Sequence, residues 1–255
     1  MKFALFNGQR RIAEPSLSGN CPMCGAATIA KCGENRIWHW AHKGKQKCDP
    51  WWENETEWHR NWKSHFPTDW QEVPHRDDDG EKHIADVKTD QGWAIEFQHS
   101  YIKPEERQSR EAFYGDMAWV VDGLRRKNDL RQFVDAVKDG IRVCERPLVV
   151  VVHPLDCRLV DEWSTSRVPV FFDFGDKIHP HGLWLLIQMR LDSSAYIVPV
   201  GNDDFITWHR KGNFNPQPLI DKLVLFEQSR KQKTRAHFVS QKMPWRIPRR
   251  SRRRF

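Results

Sequence analysis

The sequence predicts a mixed α/β domain preceded by a small β-rich module. From residue 51 onward, apolar runs of strand length alternate with stretches of helical periodicity, the pattern of helices packed on a sheet. Before that point, short strand-like pieces are separated by Gly and Pro, and four of the six cysteines crowd into residues 21–48. After Gln228 no acidic residue remains. These observations divide the chain into a β-rich module at 1–50, a main domain at 51–227 and a basic, flexible tail at 228–255. A chain of 255 residues can bury one sizeable core and still carry an accessory module.

In the module, Lys2–Phe6, Thr28–Ala30 and Arg36–Trp40 read as strands. A helix from Asn54 to His65 follows, stopped by Pro67, and Trp70–Pro74 reads as a strand. His83–Thr89 and Trp93–Gln98 form a hairpin. Pro104 opens a helix to Tyr114, with Glu105 and Glu106 in its favourable first turn. Ala118–Val121 is a short buried strand. Leu130, Phe133, Val134 and Val137 give Asp129–Ile141 helical spacing. Leu148–Val152 has the continuous apolar character of a central strand. Val168–Phe172, Leu183–Ile187 and Tyr196–Val200 are further strands, and Phe205–Lys211 is helical. The first strands of the sheet are expected to be antiparallel. No internal repeat is present.

No apolar run approaches the roughly 20 residues that span a bilayer, so no membrane partner is expected. The first residues are too polar beyond Phe6 for a signal peptide, and a cytoplasmic location is expected. The net charge of +7 is unevenly spread: residues 1–48 carry +6, residues 49–228 carry −10, and the remainder carries +11. Basic ends suit phosphate backbones and an acidic centre suits divalent cations. The Arg density of the tail points to nucleic-acid contact.

The chemistry is concentrated in the hairpin. With Asp90-Gln91-Gly92 as a three-residue loop, Gly takes the left-handed position at its end. Lys88 then opposes Ala94, Val87 opposes Ile95 and Asp86 opposes Glu96. Because strands alternate faces, Ala85, Val87, Trp93, Ile95 and Phe97 form the core face. Asp86, Lys88, Glu96 and Gln98 share the other. Two carboxylates directly opposite repel, so the pair requires a cation or a raised pKa. Hard oxygen ligands suit Mg²⁺ or Mn²⁺, which activates water and polarises a phosphoryl oxygen. Gln98 points to the same place and can position that water. On the preceding helix, Glu55, His59 and Lys63 are spaced i, i+4, i+8 and so share a face, with His59 a candidate substrate contact. An ordinary solvated face, with Lys88 neutralising the carboxylates, is the competing reading of these patterns.

The run ETEWHRNWK at 55–63, followed by HIADVKTDQGWAIEFQHSYIKPEERQSREAFYGDMAWVVDG at 83–123, resembles the competence protein CoiA-like family of the PD-(D/E)XK nuclease superfamily. The likeness covers residues 20–125. It implies a restriction-endonuclease-like mixed sheet flanked by helices, and DNA rather than RNA as substrate, in uptake, repair or defence. It implies Asp86 and Glu96 as metal-binding carboxylates and Glu55 as the helix carboxylate near the same ion. The superfamily usually has lysine where this chain has Gln98; glutamine carries no charge, so Lys63 or Lys88 is left to supply it. Arg110 and Tyr114, at i and i+4, would face the site and contact phosphate or support Gln98. An inactive nucleic-acid-binding module, or a scaffold for a protein partner or a second copy, is the alternative that Gln98 keeps open.

Cys21-Pro-Met-Cys24 is a tight metal-binding turn. Zinc requires four ligands, and the candidates for the other two are Cys32, His39, His42 and Cys48. The spacing C-x2-C then H-x5-C makes His42 and Cys48 the first choice. Structural zinc would fold a module too small for its own core. Lys43, Lys45 and Lys47 are then expected to grip the nucleic acid. Cys144 and Cys157 read as buried thiols, and His179 and His181 as chance neighbours without a second metal. The tryptophans at 38–70 are expected chiefly to pack the module onto the first helix.

Overall fold

A computed structural model describes residues 1–44, 48–77, 80–178, 182–188 and 194–241. Lys45, Lys47, His179 and His181 fall outside the described residues, as do 242–255. Contacts divide the chain into a unit Met1–Phe214 and a second unit Asn215–Phe255.

The first unit begins with five short strands: β1 (Phe3–Phe6), β2 (Gln9–Ile12), β3 (Ser18–Asn20), β4 (Ala27–Lys31) and β5 (His39–His42). They form an antiparallel sheet in the order β2-β1-β3-β4-β5. Asn7 and Gly8, both at positive φ, make the two-residue turn that joins β1 to β2. Arg36–Trp38 are not strand; the last strand runs later, over His39–His42, where it pairs with β4 and brings His42 opposite Thr28.

The main sheet contains β6 (Gln71–Arg76), β7 (Lys82–Lys88), β8 (Ala94–Gln98), β9 (Met117–Asp122), β10 (Ile141–Glu145), β11 (Leu148–Val152), β12 (Val170–Asp173), β13 (Leu183–Gln188) and β14 (Ala195–Val200). Among the described residues its order is β10-β11-β14-β13-β12-β9-β8-β7-β6. β9 runs parallel to both β8 and β12, and the other pairings are antiparallel. The architecture is thus a mixed α/β fold with a large mixed sheet and a small β-rich N-terminal sheet. β11 is not central: it lies next to the edge strand β10, and is apolar because the sheet is covered there too.

Helices α1 (Glu57–Ser64), α2 (Pro104–Tyr114), α3 (Asp129–Asp139), α4 (Arg158–Trp163) and α5 (Asn202–Lys211) complete the first unit. Its main core is built on Trp119, Trp163, Phe133, Phe172, Phe174 and Trp184. A smaller core of Met1, Ala4, Ala13, Cys21 and Trp40 holds the N-terminal sheet and packs against Ile84 of β7. Helix α6 (Gln217–Gln241) belongs to the second unit. It continues through 228–241, which composition assigned to tail; Gln, Lys and Arg are good helix formers, so charge alone does not mark a helix end. Among the described residues, no helix is long and apolar enough to cross a membrane.

Candidate functional site

Helix α1 presents its functional face because both of its ends are fixed. Thr56 caps it: the Thr56 hydroxyl accepts from His59 N–H, and the His59 ring accepts from Thr56 N–H. The indoles of Trp58 and Trp62 both donate to Asp173 Oδ2, at 2.8 and 2.7 Å, and Trp62 stacks on Phe97 of β8. These contacts pack Trp58 and Trp62 against the main sheet, not between the N-terminal module and the helix as expected. They also turn Glu55, His59 and Lys63 toward the start of the sheet, where all three line one cleft with Asp49, Glu53, Glu72, Asp86, Glu96, Arg110 and Tyr114.

The hairpin register is as the sequence implies for Val87 opposite Ile95 and Lys88 opposite Ala94, and Gly92 has φ +87°. One step further the regular ladder stops, and the carboxylates take the place of backbone acceptors. Asp86 N–H donates to Glu96 Oε1 at 3.2 Å, and Phe97 N–H donates to Asp86 Oδ2 at 3.0 Å. The two acids are therefore wedged into an opening between strands. Asp86 stays 24 % exposed, whereas Glu96 is buried. Burial, then the charge of Asp86, pushes the Glu96 carboxyl up to about 8, although Arg110 pulls the other way.

Lys63 is the hub of the cleft. Its buried Nζ lies 2.5 Å from Glu55, 3.0 Å from Glu72 and 3.6 Å from Asp86. Burial alone would favour the neutral amine; the charges of Glu72, Asp86 and Glu55 overcome it and hold Lys63 protonated, above its ordinary pKa. Glu72 was not legible as a site residue. Burial opposes its ionisation, but Lys63 and the backbone N–H of Lys2 bring it down to about 2. It also accepts from Phe3 N–H, so the N-terminal sheet is tied directly to the cleft.

The remaining expected residues are placed unequally. Arg110 bonds Glu96 at 3.3 Å, Glu106 at 2.5 Å and the Trp51 carbonyl at 2.8 Å, so its guanidinium is engaged within the protein. Tyr114 is buried beside it, and burial followed by Glu96 raises its phenol. Gln98 does not line the cleft as expected; it donates to Ser100, and its Oε1 is buried without a partner among the described residues. Lys88 does not line the cleft; it lies over the Tyr114 ring, and burial lowers its pKa. Glu55 precedes the cap Thr56 and so lies ahead of the helix on which it was expected; among the described residues it meets the hairpin acids through Lys63 and also pairs with Arg60.

The cysteine module resolves into one cluster. Cys21, Cys24, His42 and Cys48 place one ligand atom each within 4.8 Å of one another. Cys21 Sγ lies 3.7 Å from Cys48 Sγ, and Cys24 Sγ lies 3.4 Å from His42 Nε2. Two sulfurs on a tetrahedral zinc, each about 2.3 Å from it, sit about 3.8 Å apart, close to the Cys21–Cys48 separation. Burial and then Cys21 push the Cys48 thiol up. Burial and then the terminal ammonium keep His42 neutral, the form that ligates. The Cys3His cluster could bind zinc. Cys32 stays outside it as a free thiol, and His39 turns its Nδ1 to the Ile37 carbonyl. Cys157 is buried as expected, but Cys144 is exposed because it sits on the edge strand β10.

Curated proteins and solved structures offer no match to this chain. Residues 18–50, which contain all four members of the Cys3His cluster, match the family model for the N-terminal domain of competence protein CoiA, and this supports a CoiA-like family.

Proposed function

We propose that the chain is a nuclease that hydrolyses DNA phosphodiester bonds with Mg²⁺ or Mn²⁺ held by Asp86 and Glu96. The observation that carries this reading is the wedge of two acids in the hairpin opening, with a buried lysine at its side. Glu96 fits a divalent cation because its carboxyl is driven up to about 8 by burial and Asp86; a cation between the two would let both ionise. When bound, the ion supplies Lewis acidity at the phosphoryl group. Lys63 supplies the fixed positive charge that Gln98 lacks, and Glu55 and Glu72 hold its ammonium in place. Gln98 Oε1 is left to orient a water by accepting its hydrogen bond. Zinc in the Cys3His cluster is the structural partner of this arrangement. The match of residues 18–50 to the N-terminal domain of competence protein CoiA suggests a setting in competence, where DNA is taken up.

One observation favours a second reading, a binding module without catalysis. Lys63 already pairs with Asp86, Glu55 and Glu72, so Asp86 has a cationic partner within the protein. Purified protein incubated with linear, circular and single-stranded DNA and Mn²⁺, beside an Asp86→Asn control, separates the two. Cleavage by the parent and its loss by at least about a hundredfold in the control is expected. Cleavage that persists in the control, or appears with no substrate, would remove the nuclease reading.

A further inference from the structure

His59 is buried, yet half of its ring has no work inside the protein. Thr56 N–H lies 3.1 Å from His59 Nδ1, and a backbone N–H can only donate. Nδ1 is therefore the acceptor, and the Thr56 hydroxyl at 2.8 Å adds a second donor to it. In the neutral imidazole the proton must then sit on Nε2. That Nε2–H is buried and has no acceptor among the described residues. An unmet buried donor is destabilising, and the ring lines the same cleft as Asp86, Glu96 and Lys63.

His99 lies beside it, ring centroids 6.0 Å apart, with its Nδ1 on Asp122 at 2.7 Å, and no hydrogen bond joins the two rings among the described residues. Asp122 is held in turn by Leu124 N–H at 2.7 Å. Burial lowers the pKa of His59 and so preserves the neutral, single-donor form.

We propose that His59 Nε2–H is a dedicated donor to a non-bridging oxygen of the nucleic-acid phosphate that enters the carboxylate cleft. The proposal rests on the nuclease reading for the identity of the ligand, and it assigns the phosphate a contact that is made by hydrogen bonding alone. Since the donor lies deep, it serves the oxygen that enters beside Asp86 and leaves the outer face of the strand to other groups.

The test uses the full chain carrying Asp86→Asn, so that binding is read without cleavage. Affinity for a short fluorescein-labelled oligonucleotide, single-stranded and duplex, is measured by anisotropy. His59→Met should weaken binding about tenfold or more. His59→Gln should stay within about threefold, because glutamine satisfies the same capping box and keeps a donor. Nitrogen-15 spectra of the His59 ring in the otherwise unaltered protein should show the proton on Nε2, with that resonance shifting when oligonucleotide is added. Unchanged affinity of the Met variant, or a proton on Nδ1, overturns the assignment. If the parent cleaves DNA and His59→Met cleaves equally well, the His59 role falls while the nuclease reading stands. If the parent neither binds nor cleaves nucleic acid, both fall.

Discussion

At the scale of single residues, the chemistry depends on how burial and charge divide the acids of the cleft. Glu96 and Glu72 are both buried, yet one carboxyl is raised to about 8 and the other lowered to about 2. The difference is the neighbour: Asp86 for Glu96, Lys63 for Glu72. This fixes a sign. Between its ordinary value of 4.5 and about 8, metal-free native protein holds a proton on Glu96 that the unfolded chain has released. The native state then binds more protons, so stability falls as pH rises through that window. The melting temperature of the metal-free protein should therefore decline from pH 5 to pH 8, and less steeply in Asp86→Asn. A profile that rises over that range would contradict the arrangement. Asp86, Glu96 and Lys63 could be read from the sequence because hairpin register and helical spacing are local. Glu72 could not, since besides Lys63 it is held by the amides of Lys2 and Phe3, some 70 residues away in the chain.

At the scale of elements, helix α1 and the hairpin were legible because each carries its own signals. The hairpin has a left-handed Gly92, and α1 has a capping box in which His59 occupies the position usually held by Glu or Gln. Thr56→Ala removes that cap and should cost about 1 kcal/mol in urea denaturation. It keeps the Thr56 N–H on His59 Nδ1, so the His59 tautomer should be retained while stability falls. Other elements were hidden for physical reasons. β10 is an exposed edge strand with no alternation to detect. α4 has only six residues, and its buried Leu159, Val160 and Trp163 make too short a stripe to count as periodic. The regular register also failed where it mattered most: beyond Val87 and Ile95 the ladder gives way to the carboxylates, and alternation alone cannot foresee side chains replacing backbone acceptors.

At the scale of the whole molecule, the zinc module and the basic end each make a prediction. Metal analysis should find one zinc per chain, lost in Cys24→Ser and retained in Cys32→Ser. Stripping the metal with a chelator should lower the melting temperature by about 5 °C or more. Residues 242–255 carry seven Lys and Arg and no acid. Deleting them should reduce the slope of log affinity for duplex DNA against log salt by up to about six. A slope unchanged by the deletion would exclude the end as a phosphate contact. The tie from Lys2 and Phe3 to Glu72, and from Glu72 to Lys63, has one more consequence. Cys24 is exposed at one corner of the Cys3His cluster. The module that carries this cluster also supplies the amides that hold Glu72, so the charge balance around Lys63 depends on the module staying folded.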